Sequence, residues 1–417
     1  MKKIVITNAY TWYNKGDAGI LLGIVETLKK YYKKDLEINI LSFTPEEDKK
    51  RYCLDPVIKN VYSNVLNPHP YKHTKIGKIK AIFKLFFSMI YQFLMINLNK
   101  KILINHKENY KALSEADYIV VCGGGFLGGK KFDSLMHVFQ IYVNTKFNKK
   151  VIMMGTSIEP MKNKFIKRKT EKALKKLDHI YAREIITFNY CKKFIKESQL
   201  TLIPDMAFML KDDKSENKYI SKLKEKYPKI YGLTVRKWNF PGYNNPVELQ
   251  KKYIQVMADF IENKVKEDNS LFIFVPQVIV KYGYDAETAK AIKQMISNEY
   301  QDNFKIIEDD LSPEQIKNLI WNMDFFIGTR MHSNIFATSM GIPTIAVAYE
   351  KKTNGIMHTV NLDDYVIEMS SITKEQLDEK TEQQMLNDEK IRNDLKERIV
   401  EIRKEIFEKI SLILKEM

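Results

Sequence analysis

The sequence predicts an α/β fold with two Rossmann-like domains that face each other across a cleft. Three observations lead to this prediction. Short apolar runs alternate with longer helical patterns along the chain, which is typical of parallel sheets built from βαβ units. These runs form two successive sets, separated by the polar segment KDDKSENK at 211–218. The 417 residues are also enough to build two hydrophobic cores.

The expected strands set the limits of the two domains. In the first set they cover 3–8, 37–43, 117–122, 151–154, 179–182 and 200–203, with a helix over 19–32. In the second set they cover 230–235, 271–275, 304–307, 324–328 and 344–348. A helix start signal, formed by Ser312, Pro313 and Gln315, lies between the strands at 304–307 and 324–328. We therefore predict an N-terminal domain over 1–210 with an insertion at about 67–104, a C-terminal domain over 219–385 and a C-terminal helix over 386–417.

The composition indicates a globular protein, with 44% hydrophobic and 29% charged residues. The net charge of +16 suggests an anionic partner, but the lysines are spread along the chain without a recognition motif, so nucleic acid is not expected. Cys53, Cys122 and Cys191 lie far apart, which predicts no metal site and a reducing, cytoplasmic location. The N-terminus leads directly into a strand, so we expect no signal peptide.

Ligands of doubly wound sheets bind beyond the carboxyl ends of the strands, so the residues after each strand are candidate site residues. Near the start, Gly16 permits close backbone approach, while Asp17 is either a ligand-facing carboxylate or only a helix N-cap, the latter being somewhat favoured. A glycine run over 123–129 follows a buried strand and lacks the acidic residue of a dinucleotide site. It favours a loop that contacts phosphate or sugar over a purely structural turn.

The strongest candidate site follows the strand at 325–328. Arg330 and His332 stand where a helix over 333–340 begins, and they would face the same way if the extended geometry of the strand continued. A guanidinium, an imidazole and helix N–H groups together suit a phosphate or a carboxylate. The next strand leads to Lys351 and Lys352, which add a cation; which of the two does so stays open.

Two further candidates have alternative interpretations. Arg183 follows the strand at 179–182 and either points toward the cleft or forms a surface salt bridge. In the loop over 237–245, Trp238 and Phe240 either offer aromatic faces to a sugar or close the domain interface.

Taken together, these motifs resemble the polysaccharide pyruvyl transferase family, over about residues 4–367. The most specific block is Gly328-x-Arg330-x-His332, followed by Gly341-x-Pro343 and Tyr349-Glu350-x-Lys352. Weaker matches are Asn14-x-Gly16-Asp17, the glycines at 123–125, Arg183-Glu184, Pro204-Asp205-x-Ala207, Thr234-Val235-Arg236 and Val275-Pro276-Gln277.

The resemblance implies a GT-B-like fold and phosphoenolpyruvate as donor, held by Arg183, Arg330, His332 and Lys352. It requires no cofactor besides this co-substrate. His332 suits the role of proton donor because an imidazole titrates near neutrality, and Asp17 is a weaker candidate for the base. The acceptor, a polysaccharide or lipid-linked oligosaccharide, is expected on the N-terminal domain. The residues expected to bind it are Asn14, Gly16, Gly124, Gly125 and Trp238.

Two other functions are compatible with these patterns. The first is a GT-B glycosyltransferase with a nucleotide-sugar donor, which would use carboxylate or backbone contacts where this chain has Arg330, His332 and Lys352. The second is a non-catalytic protein that binds anions or carbohydrate.

The segment 72–101 combines an apolar run, Leu85 to Ile96, with lysines on both sides. The run has 12 residues, whereas a membrane-spanning helix needs about 20. The pattern favours a buried helix of the first domain, and the alternative is a peripheral contact with anionic lipid at the inner face of the cell membrane.

Overall fold

The computed structural model describes residues 1–9, 12–42, 44–52, 57–59, 75–128, 133–159, 161, 163–279 and 285–416. It divides into two compact units. The first contains Met1–Trp12, Asp17–Leu210 and Glu405–Met417, and the second contains Tyr13–Gly16 and Lys211–Lys404. Each unit holds one parallel sheet with helices between its strands, which confirms the predicted α/β class.

The first sheet has seven strands in the order β3-β2-β1-β4-β5-β6-β7. They are β1 (Lys2–Ala9), β2 (Leu36–Ser42), β3 (Val57–Lys59), β4 (Tyr118–Cys122), β5 (Lys150–Thr156), β6 (His179–Ala182) and β7 (Leu200–Leu202), and neighbouring strands pair in parallel. The order reverses between β1 and β4, which is the switch point where doubly wound sheets bind ligands. All five residues of β4 are buried, as expected for a central parallel strand covered on both faces.

The helices of the first unit connect these strands. They are α1 (Lys15–Tyr32), α2 (Pro45–Tyr52), α3 (Lys75–Leu98), α4 (Lys100–His106), α5 (Glu108–Glu115), α6 (Asp133–Asn144), α7 (Lys164–Leu174) and α8 (Ile185–Cys191). The first helix begins at Lys15 rather than Gly19, so Gly16 and Asp17 lie in its first turn instead of in a preceding loop.

The second sheet has six strands in the order β10-β9-β8-β11-β12-β13. They are β8 (Ile230–Thr234), β9 (Leu271–Phe274), β10 (Phe304–Ile306), β11 (Phe325–Gly328), β12 (Thr344–Ala348) and β13 (Val366–Glu368), again paired in parallel. Here the switch point lies between β8 and β11. The second sheet thus repeats the order of β3-β2-β1-β4-β5-β6 in the first sheet, which has β7 in addition.

The helices of the second unit are α9 (Lys218–Lys224), α10 (Pro246–Asp268), α11 (Asp285–Met295), α12 (Pro313–Trp321), α13 (Met331–Ser339), α14 (Lys351–Thr359) and α15 (Lys374–Leu386). The start signal before α12 is confirmed as a capping box between Ser312 and Gln315. The C-terminal α16 runs over Asp388–Lys415, and the division between the units falls within it, before Glu405.

One local prediction is wrong. The strand geometry does not continue through His332, because α13 begins at Met331 with Arg330 as its N-cap residue. Strand alternation therefore does not determine the directions of Arg330 and His332. Their surroundings follow instead from the helix start and from side-chain contacts.

Candidate active site

In the first unit, polar groups collect at the carboxyl ends of the central strands. Asp17 lies half-buried in the first turn of α1, and a Cβ built on Gly124 would stand 3.5 Å from its Oδ1 atom. Burial raises the pKa of the Cys122 thiol, and the carboxylates of Asp17 and Asp205 raise it further. Cys122 therefore stays a protonated, inert thiol beneath this carboxylate.

The glycines after β4 have different roles. A Cβ on Gly123 would lie 2.1 Å from the carbonyl oxygen of Met154, so the backbone at the end of β5 requires glycine there. Gly124 has a φ of +150°, a conformation that side chains rarely adopt. Gly125 is exposed. Gly129 lies outside the described residues.

Arg183 is buried in the first unit rather than on its surface. Its Nη1 atom lies 2.8 Å from a carboxylate oxygen of Asp205, and its Nε atom donates to Ser157 Oγ at 2.6 Å. Asp205 is fully buried and also accepts from the backbone N–H of Ala207. Because the ion pair is held within one unit, it ties the end of β6 to the segment after β7. Donor binding by Arg183 stays a prediction.

In the second unit, two arginines follow the two strands at the switch point. Arg236 comes after β8 and Arg330 after β11. The hydroxyl of Thr234 accepts from the backbone N–H of Thr329 at 3.1 Å, and Ser333 Oγ donates to the carbonyl of Arg330 at 2.6 Å. These bonds join the end of β8 to the start of α13 and fix the backbone that carries Arg330.

Asp285 at the start of α11 binds Arg330 through both carboxylate oxygens, with Nε 3.0 Å from Oδ2 and Nη2 in contact with Oδ1. Asp285 is 1% exposed. Burial lowers the pKa of Arg330, but the ion pair outweighs burial and the net direction is upward. The guanidinium is therefore permanently charged and held in one orientation.

Arg236 is held by aromatic rings instead. Its Cζ atom lies 4.7 Å from the ring centroid of Trp238 and 4.1 Å from that of Tyr349. Among the residues that the structure describes, no carboxylate lies within ion-pair distance of it. Burial lowers the pKa of Arg236, and the nearby charge of Arg330 lowers it further. A half-buried guanidinium beside a second one is an arrangement that an anion would stabilise.

His332 contacts the segment Tyr13–Gly16, which belongs to the second unit. A Cβ on Gly16 would stand 2.1 Å from His332 Nδ1, so only glycine leaves room for the imidazole. The backbone N–H of Lys15 donates to the carbonyl of Gln277 at 2.9 Å, and Asn14 pairs with Val278. Asn14 and Gly16 therefore lie beside His332, in the second unit rather than with the first, where we expected the acceptor.

A buried amide completes this part of the site. Gln277 is 2% exposed, and neither its side-chain oxygen nor its nitrogen has a partner among the described residues. An unpaired buried amide is costly, so a bound ligand or an ordered water is expected to satisfy it.

The remaining predicted residues are placed as follows. Lys352 is half-buried in the first turn of α14, whereas the adjacent Lys351 is exposed. Trp238 packs against Tyr349, with ring centroids 4.6 Å apart, and its backbone N–H donates to Gln250. Trp238 thus supports Arg236, and acceptor binding by it stays a prediction. In the described part of the chain, no group of three His, Cys, Asp or Glu side chains could hold a metal ion.

Two residues of the site were given no role in the sequence analysis. Arg236 was named there only in a weaker family match, although it directly follows a predicted strand and the carboxyl-end rule applies to it. Asp285 begins a helix after a segment without a strand signal, and nothing in the sequence connects it with Arg330.

Comparisons with known proteins identify the family of the chain. The family model for polysaccharide pyruvyl transferase matches residues 14–351. The amylovoran biosynthesis protein AmsJ of Erwinia amylovora is 21% identical over 398 residues, with 89% of each chain covered.

Solved structures of low sequence identity share the fold. The UDP-GlcNAc 2-epimerase from Neisseria meningitidis bound to UDP-GlcNAc is 13% identical with a TM-score of 0.59, and both chains are fully covered. The corresponding epimerase from Methanocaldococcus jannaschii is 14% identical with a TM-score of 0.57, and 92% of each chain is covered. These neighbours have the GT-B fold, and at such low identity the similarity shows only that the chain shares this fold. The family match extends over most of the sequence and includes the arginine and histidine block, and the chain belongs to the polysaccharide pyruvyl transferase family.

Proposed function

We propose that this protein transfers the enolpyruvyl group of phosphoenolpyruvate to sugar hydroxyls of a polysaccharide or lipid-linked oligosaccharide, forming a pyruvate ketal. The observation that carries the proposal is the arginine pair of the second unit. Arg236 has no ion-pair partner in the described residues and lies beside Arg330. Phosphoenolpyruvate offers a phosphate and a carboxylate, both of which guanidinium groups bind well.

The charges of the site favour a small and highly charged donor. Asp285 neutralises one guanidinium, which leaves the charge of Arg236 and the N-terminus of α13 for the ligand. Lys352, half-buried in the first turn of α14, supplies a further cation in this proposal. Gln277 is available to hydrogen-bond an oxygen of the donor.

The proposed reaction consumes one phosphoenolpyruvate and two hydroxyls. The methylene carbon takes a proton and becomes a methyl group, while a first hydroxyl forms a bond to C2. The C2–O bond to phosphate then breaks, and a second hydroxyl takes its place. One of the two hydroxyl protons replaces the proton that the methylene carbon took up, and the other leaves with inorganic phosphate. The product is a cyclic ketal.

We assign the proton transfers to two side chains. His332 protonates the methylene carbon, because an imidazole carries a transferable proton near neutral pH. Its position is set by Gly16, which leaves the space that the ring occupies. For the base that takes the proton of the sugar hydroxyl, Asp17 is the weaker candidate; its half-buried carboxylate lies next to Gly124.

The test is phosphate release from phosphoenolpyruvate with a glycan acceptor. Arg236→Gln should lose at least about a hundredfold in kcat/KM if the guanidinium contributes about 3 kcal/mol. Lys237→Gln is the matched control, because Lys237 is the exposed neighbour of Arg236 and should keep activity. His332→Ala should abolish transfer while the protein still binds phosphoenolpyruvate. If Arg236→Gln kept the same high activity as Lys237→Gln, the proposed donor site would be excluded.

A further inference from the structure

The helix α3 exposes a face made largely of apolar side chains and packs Gln92 and Ile96 against the protein. Phe83, Phe86, Phe87, Ile90, Tyr91, Leu94 and Leu98 are between 40% and 79% exposed. They recur at intervals of three and four residues and so form one stripe along the helix. A helix at the surface of a water-soluble domain normally has the reverse arrangement.

The opposite face of α3 is fixed to the first unit. Gln92 is 3% exposed and accepts a hydrogen bond from the hydroxyl of Tyr110. Ile96 is 6% exposed and joins the hydrophobic core of the unit. The outward direction of the stripe is therefore set by specific contacts of the buried face.

The exposed patch is large. Its aromatic members, with Phe93 included, are about half exposed, and at roughly 200 Å² per side chain they present about 500 Å². Patches of this size mark interaction sites on soluble proteins.

The charge around the patch identifies its partner. Residues 71–107 contain eight lysines and neither aspartate nor glutamate. Lys84 lies exposed on α3, and Lys101 is exposed on the following α4. A second copy of this chain would bring lysines against lysines, whereas an anionic lipid surface attracts them.

We propose that α3 is an in-plane membrane anchor that seats its aromatic stripe among the headgroups of an anionic bilayer. Its 24 residues extend about 36 Å, enough for several headgroups. In the described part of the chain, no helix is long and apolar enough to cross a membrane. The packing of Gln92 and Ile96 against the first unit agrees with a helix that lies on the surface. This inference does not rest on the proposed reaction.

The test is flotation with vesicles, without donor or acceptor. The protein should float with vesicles of phosphatidylcholine and phosphatidylglycerol but much less with phosphatidylcholine alone. Phe87→Asp should lower the bound fraction at least about tenfold, because it buries a charge at the interface. Phe165→Asp is the matched control, since Phe165 is similarly exposed on α7 of the same unit. Phe86→Asp combined with Phe87→Asp should abolish flotation.

Circular dichroism must show that the variants are folded. We expect that they fold, because the substituted side chains are exposed. A second set, Lys84→Gln with Lys101→Gln, changes two exposed lysines and should weaken flotation without altering the apolar stripe. Binding that survives both sets of changes would overturn the proposal. A dimer in light scattering that the Phe87 variant dissociates, with no flotation of the wild type, would assign the patch to a second copy instead.

Discussion

The ion pair between Asp285 and Arg330 gives the sharpest prediction. In Asp285→Asn, the side chain keeps its size and one acceptor oxygen but loses its charge. Arg330 is then left buried beside Arg236 without a compensating carboxylate. Two neighbouring guanidinium groups in this environment should repel each other, and the second unit should lose stability.

The magnitude follows from the burial of the pair. Removing one partner of a buried ion pair costs about 3–5 kcal/mol. Because the Arg330 side chain is 17% exposed and can be partly hydrated, we expect the lower end of this range, about 3 kcal/mol. For a unit of about 200 residues, 1 kcal/mol corresponds to roughly 2–4 °C in Tm. We therefore expect the Tm of the second unit to fall by about 6–12 °C.

Anions should reverse part of this loss. A ligand that binds only the folded state at a hundred times its Kd adds about 2.7 kcal/mol. Because the variant has one more unbalanced positive charge, phosphoenolpyruvate and inorganic phosphate should raise its Tm more than that of the wild type. Calorimetric unfolding with and without phosphoenolpyruvate measures both effects.

Asp259→Asn is the control, because Asp259 is exposed on α10 of the same unit. It should change the stability by less than about 0.5 kcal/mol. If Asp285→Asn unfolds within about 2 °C of the wild type, which corresponds to a loss of at most about 1 kcal/mol, and gains no more from the anion, the assignment of an anion site to the arginine pair is refuted.

Three other predictions concern single positions. Gly16→Ala should displace His332 and abolish transfer in a folded protein. Gly355→Ala is the control, because a Cβ there meets nothing within 4 Å; it should keep activity and gain up to about 1 kcal/mol in helix stability. Steady-state kinetics and thermal unfolding measure both effects, and full activity of Gly16→Ala would contradict the crowding at the imidazole. Burial lowers the pKa of His137 to about 3 and that of His179 to about 4. Since the unfolded chain takes up these protons near pH 6.5, each buried ring should lower the free energy of unfolding by about 2 kcal/mol as the pH falls from 7 to 5. Urea unfolding at several pH values should show that His137→Gln loses less of this free energy than the wild type. Equal pH dependence of the two proteins would contradict the prediction. Gly123→Ala should strongly destabilise the first unit, because its Cβ would collide with backbone at the end of β5; an unchanged Tm would count against that tight packing.

The sequence predicted the fold well because parallel strands buried on both faces appear as continuous apolar runs. The runs at β4 and β11 are fully buried, and both were predicted within one residue of their ends. Among the three-residue strands, β7 and β10 were predicted but β3 and β13 were not, because so short a run gives only a weak pattern. The helix start at Met331 was also missed, because Arg330 carries no capping side chain.

The site was predictable only in part. Arg330 and His332 stand next to a strong strand signal, so the carboxyl-end rule found them. The ion pair of Arg330 with Asp285 depends on tertiary packing between residues 45 positions apart, which no local pattern encodes. The aromatic support of Arg236 by Tyr349 is equally non-local.

The exposed face of α3 shows how a pattern can leave burial undecided. The apolar run Leu85 to Ile96 favoured a buried helix over a contact with lipid, because apolar side chains normally pack inside a domain. The structure buries the polar Gln92 and exposes Phe87 instead. The inward face is set by tertiary contacts, Gln92 with Tyr110 and Ile96 with the hydrophobic core, which the local sequence does not encode.

The most direct test of the account is mass spectrometry of an acceptor glycan incubated with the protein and phosphoenolpyruvate. We expect a glycan that gains one pyruvyl ketal for each inorganic phosphate released, and product formation that is slower by at least about a hundredfold with Arg236→Gln. A glycan that stays unchanged with phosphoenolpyruvate but gains a sugar from a nucleotide-sugar donor would contradict it.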